Sequence, residues 1–286
     1  MELKEVIRGE RVDFGFYNLQ HASAWAGSCI IILTGCALKQ LSKKNYTISI
    51  LLLLISSIFW FIFIGTQTRQ TFLGLFSAIV FAFFFYAKNL NWSKRNIAIV
   101  ASIAFISISV AFNSSGVKQR TIGEIETYSQ LFSGNYNKFS DADDGSSVRL
   151  ALWYAGYQWF KDYPILGSDR EIGEHIVQTS PYAPVISKNA KHKHLHNYYV
   201  ELAVSYGIVG LTVILSLFIC IFLNLFKARH ANGFDEVQFV GLVFIPYWLI
   251  VNIFEPHLLT SPGQLIHNVM IGSFFIFSKL HSKDNS

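Results

Sequence analysis

Apolar residues gather along this chain into long runs separated by short polar breaks. A membrane-crossing helix needs about 20 mostly apolar residues, and about seven stretches approach that length. They lie at 21–38, 46–65, 71–87, 96–112, 198–226, 237–254 and 264–280. The pattern predicts an all-α polytopic membrane protein with one large extracytoplasmic loop that itself contains helices. Its expected organisation is an outer N-terminal segment at 1–20, four spans within 21–112, a loop at 113–197, three spans within 198–280 and a cytoplasmic tail at 281–286.

The loop is too long to be slack between two helices. Its first part is rich in Gly, Ser, Asn and Asp and reads as irregular. Asp141, Asp143 and Asp144 lack the Gly and Glu spacing of a calcium loop and read as a solvated turn. From Ser147 to Tyr163 the pattern turns helical: Arg149, Trp153, Gly156 and Phe160 recur at helical spacing, with Leu152, Tyr157 and Trp159 adding bulk. Ser146 or Ser147 is the expected cap, and Pro164 the expected stop before a sharp Pro164-Ile165-Leu166-Gly167 turn. So aromatic a helix should lie on the membrane surface or pack against the bundle.

Composition supports the membrane reading. The 286 residues are 52% hydrophobic and 14% charged, with mean hydropathy +0.37; soluble domains carry about 25% charged residues. The net charge of +5 is a matter of orientation rather than of nucleic-acid binding, because the basic residues alternate with the spans. Lys39, Lys43 and Lys44 follow the first span, Lys88, Lys94 and Arg95 the third, Lys227 and Arg229 the fifth, Lys279 and Lys283 the seventh. Basic connections face the cytoplasm, which places the C-terminus inside and the N-terminus outside. The polar segment 1–20, with Lys4, Arg8 and Arg11, sits oddly outside. Either further spans precede it or the first span is misassigned. Cys29, Cys36 and Cys220 all fall within apolar spans and read as small buried hydrophobes.

The candidate chemistry lies on the outer side. Arg69, in Gly65-Thr66-Gln67-Thr68-Arg69-Gln70-Thr71, is the one Lys or Arg in a short outer connection. It works against the orientation bias, and its permanently charged fork suits phosphate oxygens. His196 precedes the fifth span, where the free N–H groups of a helix start favour an anion and a neutral imidazole can accept a proton as a general base. Arg149, early in the loop helix, is a second candidate for phosphate. His194, Asn197 and Glu201 are candidate supporting groups; Glu201 reads either as a group that orients a base or as an interfacial residue. His192, His194 and His196 alternate with Lys191 and Lys193, without a Cys or paired carboxylate nearby. They read as a basic patch that draws in an anion, and no metal is expected. Glu255 and His257 flank Pro256 in the last outer turn, with no partner that spacing can name. No nucleotide-binding glycine loop is present. An outer-face reaction without ATP or another cofactor calls for a substrate already activated, and a lipid-linked sugar diphosphate fits the bilayer and the arginine together.

These residues resemble a family. Thr68-Arg69-Gln70-Thr71 between spans, a loop carrying Arg149…Trp153 and Phe160…Pro164-Ile165-Leu166-Gly167, then His196-Asn197-Tyr198-Tyr199-Val200-Glu201-Leu202 and Tyr206-Gly207-Ile208-Val209-Gly210-Leu211, are similar to the bacterial O-antigen ligase and polymerase superfamily. The resemblance implies a metal-independent glycosyltransferase of the inner membrane. It would move a glycan from undecaprenyl diphosphate to the lipid A–core acceptor of lipopolysaccharide on the periplasmic face. It implies essential roles for Arg69 and His196 and a contribution from Arg149. Family members have more spans than are read here, so amino-terminal helices are expected to be missing. The expected mechanism brings Arg69, Arg149 and His196 to one carrier lipid.

Three rivals remain open at this point. A polysaccharide polymerase or a protein O-oligosaccharyltransferase uses the same donor. A non-enzymatic transporter or scaffold belongs to another class, but the inverted repeats and midplane broken helices of a transporter are not evident.

Overall fold

The structure is a computed structural model that describes residues 6, 12–15, 18–89, 145–227 and 235–283, with the side chains of 84–89 and 278–283 outside the description. The expected fourth span, the first part of the loop with its three aspartates, and Lys94 and Arg95 lie outside the described residues. Within them the chain is helical and no strand occurs. The α-helices are α1 (Leu19–Ser42), α2 (Tyr46–Gly65), α3 (Arg69–Asn89), α4 (Gly145–Asp162), α5 (Ile172–Thr179), α6 (Val185–Asn189), α7 (Tyr198–Lys227), α8 (Glu236–Phe254) and α9 (Ser261–Lys283). A short 3-10 turn at His257–Leu259 precedes α9.

Every apolar run that falls within the described residues became a helix. Four of them, α1, α2, α7 and α8, are long and apolar enough to cross a membrane. In α3 the side chains are described only as far as Phe83, and the described apolar stretch is Arg69–Phe83; α9 carries Gln264, His267 and Asn268 among its apolar residues. The expectation of seven crossings thus stands at four on length and composition among the described residues.

The chain divides into two compact units. The first holds α1, α2, α3, the end of α7, α8 as far as Val251, and α9. Its helices approach through small residues, the usual device where lipid supplies no hydrophobic drive between helices. Gly27 lies directly under the Tyr247 ring, so that a Cβ there would collide with the phenol. The Tyr247 hydroxyl donates to the Ala24 carbonyl at 3.2 Å, which satisfies a polar atom that could find no water there. Ser23 of α1 and Thr71 of α3 share a buried hydroxyl hydrogen bond. Lys39, at the end of α1, pairs with Glu236, at the start of α8, at 3.1 Å.

The second unit holds α4, α5, α6, the first part of α7 and residues 252–259. Val148, Leu152 and Ala155 of α4 form a core with Ile176, Val177, Ala183, Leu195 and Val204. Gly156 leaves the space that Leu195 and Val200 fill. The aromatic loop helix therefore packs one face inward, and α5 and α6 are additional loop helices. It starts at Gly145, so Ser146 and Ser147 lie in its first turn rather than capping it, a correction of two residues. The turn after Pro164 is as expected: Gly167 takes φ 73° and its N–H reaches the Tyr163 carbonyl at 3.2 Å.

Candidate active site

Within the first unit, Arg69 opens α3. Thr68 accepts through its carbonyl from the Thr71 and Phe72 N–H groups at 3.2 and 3.3 Å, and from the Thr71 hydroxyl at 2.7 Å. Thr66, Thr68 and Thr71 are all buried, so this polar break is fixed. Gln67 sits at φ 48°, an uncommon conformation for a residue with a side chain. Arg69 is half-buried at the positive end of a helix dipole. A cation there is unfavourable for the helix, whereas an anion is favoured by both the dipole and the guanidinium.

Within the second unit, the chain from Lys191 to Asn197 is set by α7. Asn197 is the N-cap: its side-chain oxygen accepts from the N–H groups of Tyr199 and Val200 at 2.9 and 3.1 Å. His196 is just outside the helix at φ 54°, in the left-handed region. The Glu201 carboxylate turns back to accept from the Leu195 N–H. That carboxylate also rests against Gly173, where a Cβ would collide with it. Glu201 thus clamps the backbone next to His196, and it is another carboxylate that meets the ring.

That carboxylate is Glu255, 59 residues further along the chain. His196 Nδ1 and Glu255 Oε2 are 2.9 Å apart. Glu255 is only 1% exposed, and the His196 side chain 17%. Burial alone would raise the Glu255 carboxyl. The His196 hydrogen bond and the charges of His196, His194 and His257 outweigh it and hold the group well below the usual carboxylate range, at about 2. Glu255 is therefore ionised at neutral pH and can only accept, so Nδ1 of His196 carries a hydrogen. In the neutral ring the lone pair is then on Nε2, where a proton acceptor needs it. His194 stands edge-on to the His196 ring, centroids 4.4 Å apart, with its Nε2 3.9 Å from Glu255. His192 also meets the ring edge-on, centroids 5.2 Å apart. Burial, then the neighbouring His196, lower the His192 imidazole below its ordinary value, against an opposing pull from Glu255.

Arg149 lies one turn before Trp153 on the same face of α4, and the Trp153 ring meets Phe254, the neighbour of Glu255, at 6.4 Å. His194, His196 and Glu255 present ligand atoms within 4.8 Å of one another, a set able to hold a divalent ion. The sequence-based argument against a metal rested on the interleaved Lys191 and Lys193 and on the lack of a nearby Cys or paired carboxylate; Glu255 supplies a single carboxylate.

A family model described as O-antigen ligase matches residues 50–215, more than half of the chain. The chain belongs to the O-antigen ligase family. With its membrane-spanning helices, this makes it a multi-pass membrane protein whose family points to lipid-linked glycan substrates and glycosyltransferase-like ligase activity. The matched stretch contains Arg69, Arg149, His194, His196, Asn197 and Glu201, while Glu255 lies beyond it. A comparison with curated proteins found no match.

Sequence reasoning singled out His196 but missed its partner. Asn197 looked like a supporting group and is the cap, while the carboxylate close to His196 in sequence, Glu201, binds backbone instead. The one available signal for Glu255 was its setting: a Glu beside Pro at the outer end of an apolar span is costly unless something holds it.

Proposed function

We propose that this chain is an O-antigen ligase, transferring O-antigen glycan from undecaprenyl diphosphate to lipid A–core on the periplasmic face of the bacterial inner membrane. The observation that carries the mechanism is the buried Glu255 carboxylate on Nδ1 of His196, at 2.9 Å. His196 Nε2 takes the proton of the acceptor sugar hydroxyl, whose oxygen attacks the anomeric carbon of the donor. The bond between that carbon and the diphosphate oxygen breaks, and the diphosphate leaves on its lipid. Arg69, with the N-terminus of α3, binds the diphosphate and stabilises its growing charge. Arg149 is a further diphosphate ligand. Glu255 is a positioning residue: it fixes the tautomer and favours the imidazolium that forms. His194 and His192 wall the ring, Asn197 starts the helix that presents it, and Glu201 secures the backbone beside it.

The function is tested by expressing the full chain in a strain that lacks its ligase and reading the lipopolysaccharide banding pattern. Restored long-chain capping is expected. Single-repeat capping would make the chain a polymerase, and glycosylated protein without capping an oligosaccharyltransferase; no change would favour a transporter or scaffold.

Two further results follow from the base. Glutamine at Glu255 keeps the shape but removes the charge, so transfer at neutral pH should fall roughly tenfold to a hundredfold. Purified protein in proteoliposomes reports the rate. Dialysis against EDTA should leave the rate unchanged. A loss that zinc restores would replace the proton acceptor with an ion held by His194, His196 and Glu255.

A further inference from the structure

The second unit carries an exposed apolar tip that the proposed reaction does not use. Ile165 and Leu166 are 64% and 73% exposed, and Tyr163 and Tyr206 beside them are also exposed. The tip is held rigidly. At Gly207 the helix α7 breaks, with φ 63° and ψ −163°, a conformation essentially reserved for glycine. The Pro164–Gly167 turn fills the break with its own backbone. Ile208 N–H donates to the Pro164 carbonyl at 2.9 Å and Val209 N–H to that of Ile165 at 3.3 Å, while Ser168 N–H donates to the Val204 carbonyl at 3.0 Å. A Cβ at Gly207 would collide with the Ile165 carbonyl, and one at Gly167 with the Ser205–Tyr206 peptide.

The break also divides α7 by environment. From Tyr198 to Ser205 every residue is buried or half-buried; from Tyr206 onward Ile208, Val209, Val213, Leu217, Ile219, Leu223 and Phe226 stand exposed. The stretch Ile208–Lys227 is about 20 residues, enough for the roughly 30 Å hydrocarbon core. The whole of α7 is about half as long again. Trp159 and Tyr163, tilted against each other with centroids 5.9 Å apart, and Tyr206 supply the amphipathic rings that favour a membrane–water interface.

We infer that the 163–166 tip inserts into the lipid leaflet on the His196 side, and that Gly207 marks the hydrocarbon boundary there. Lipid is the occupant because the tip is bonded to the point where the exposed apolar surface of a membrane-spanning helix begins. An irregular backbone at that depth is tolerable where its polar groups are paired, as those of Ile208, Val209, Ser168 and Gly167 are through their N–H. The nine residues Tyr198–Tyr206 then raise His196 up to about 14 Å above the boundary, clear of the headgroup layer. The tip and the break fix that height.

Site-directed spin labelling tests the contact. Cys29, Cys36 and Cys220 are replaced by serine in the full chain, and a nitroxide is placed at Leu166→Cys in phosphatidylethanolamine–phosphatidylglycerol proteoliposomes. Ile165→Cys provides a second label. Neither side chain is part of the core, so folding should survive. Labels at Val213→Cys, on the exposed face of α7, and Glu174→Cys, exposed on α5, are the lipid and water references. The label at 166 should collide several-fold more with oxygen than with nickel-EDDA, as at Val213. Water-like behaviour at both 165 and 166, as at Glu174, would overturn the inference. So would shielding from both reagents, which would mean that protein covers the tip.

Discussion

Alanine at His196 should slow glycan transfer by ~10² to 10⁴-fold, the range that a positioned general base contributes, while the folded protein stays in the membrane. The cap of α7 belongs to Asn197 and the backbone clamp to Glu201, so removing the imidazole takes away the proton acceptor and little of the fold. Alanine at φ 54° carries some strain of its own. Asparagine tolerates that region, and His196→Asn should lose activity to the same extent. Transfer from a lipid-linked donor in proteoliposomes, with thermal unfolding of the same preparations, separates the two effects. Native rates in either variant would remove His196 from the chemistry.

Arg69→Ala should cost ~10² to 10³-fold, about what one preorganised charge-stabilising donor supplies to a transition state. Arg69→Lys is the more specific probe. Lysine keeps the charge but lacks the fork that grips two phosphate oxygens, so most of the loss should remain and the donor KM should rise. The buried Ser23–Thr71 hydroxyl bond and the Thr68 contacts hold the start of α3 without Arg69, so neither substitution should unfold the protein. Near-native transfer by Arg69→Lys would leave a general electrostatic role in place of a bidentate phosphate contact.

The helices were legible because the bilayer writes them in runs of apolar residues. Helix α2 occupies the very residues its run predicted, and α1, α3, α7, α8 and α9 extend theirs by a few residues. Their ends were less legible. Ser146 and Ser147 offered good caps, yet α4 begins before them and Ser147 is buried in its first turn, because packing outweighs a local preference. The small loop helices α5 and α6 have too little length to show a period. Arg69 and His196 could be singled out because each is locally out of place: a cation against the orientation bias, and a histidine at a helix start. Glu255 could not be assigned, because nothing local in a Glu-Pro-His turn names a partner 59 residues away. A reader who weighs sequence distance would choose Glu201, and only the fold turns that carboxylate to the Leu195 N–H. The same holds for Gly207: it stands in the Tyr206–Leu211 stretch that carries the family resemblance, but its structural role depends on the Pro164–Gly167 turn that enters the break.

Coupling between His196 and Glu255 is the most direct test. Transfer rates of the parent, His196→Ala, Glu255→Gln and the double variant complete a mutant cycle. If the carboxylate acts only through the ring, the double variant should be no slower than His196→Ala alone, as expected for residues that work as one unit. If instead the two losses multiply, Glu255 acts independently of His196, and the two do not form one catalytic unit.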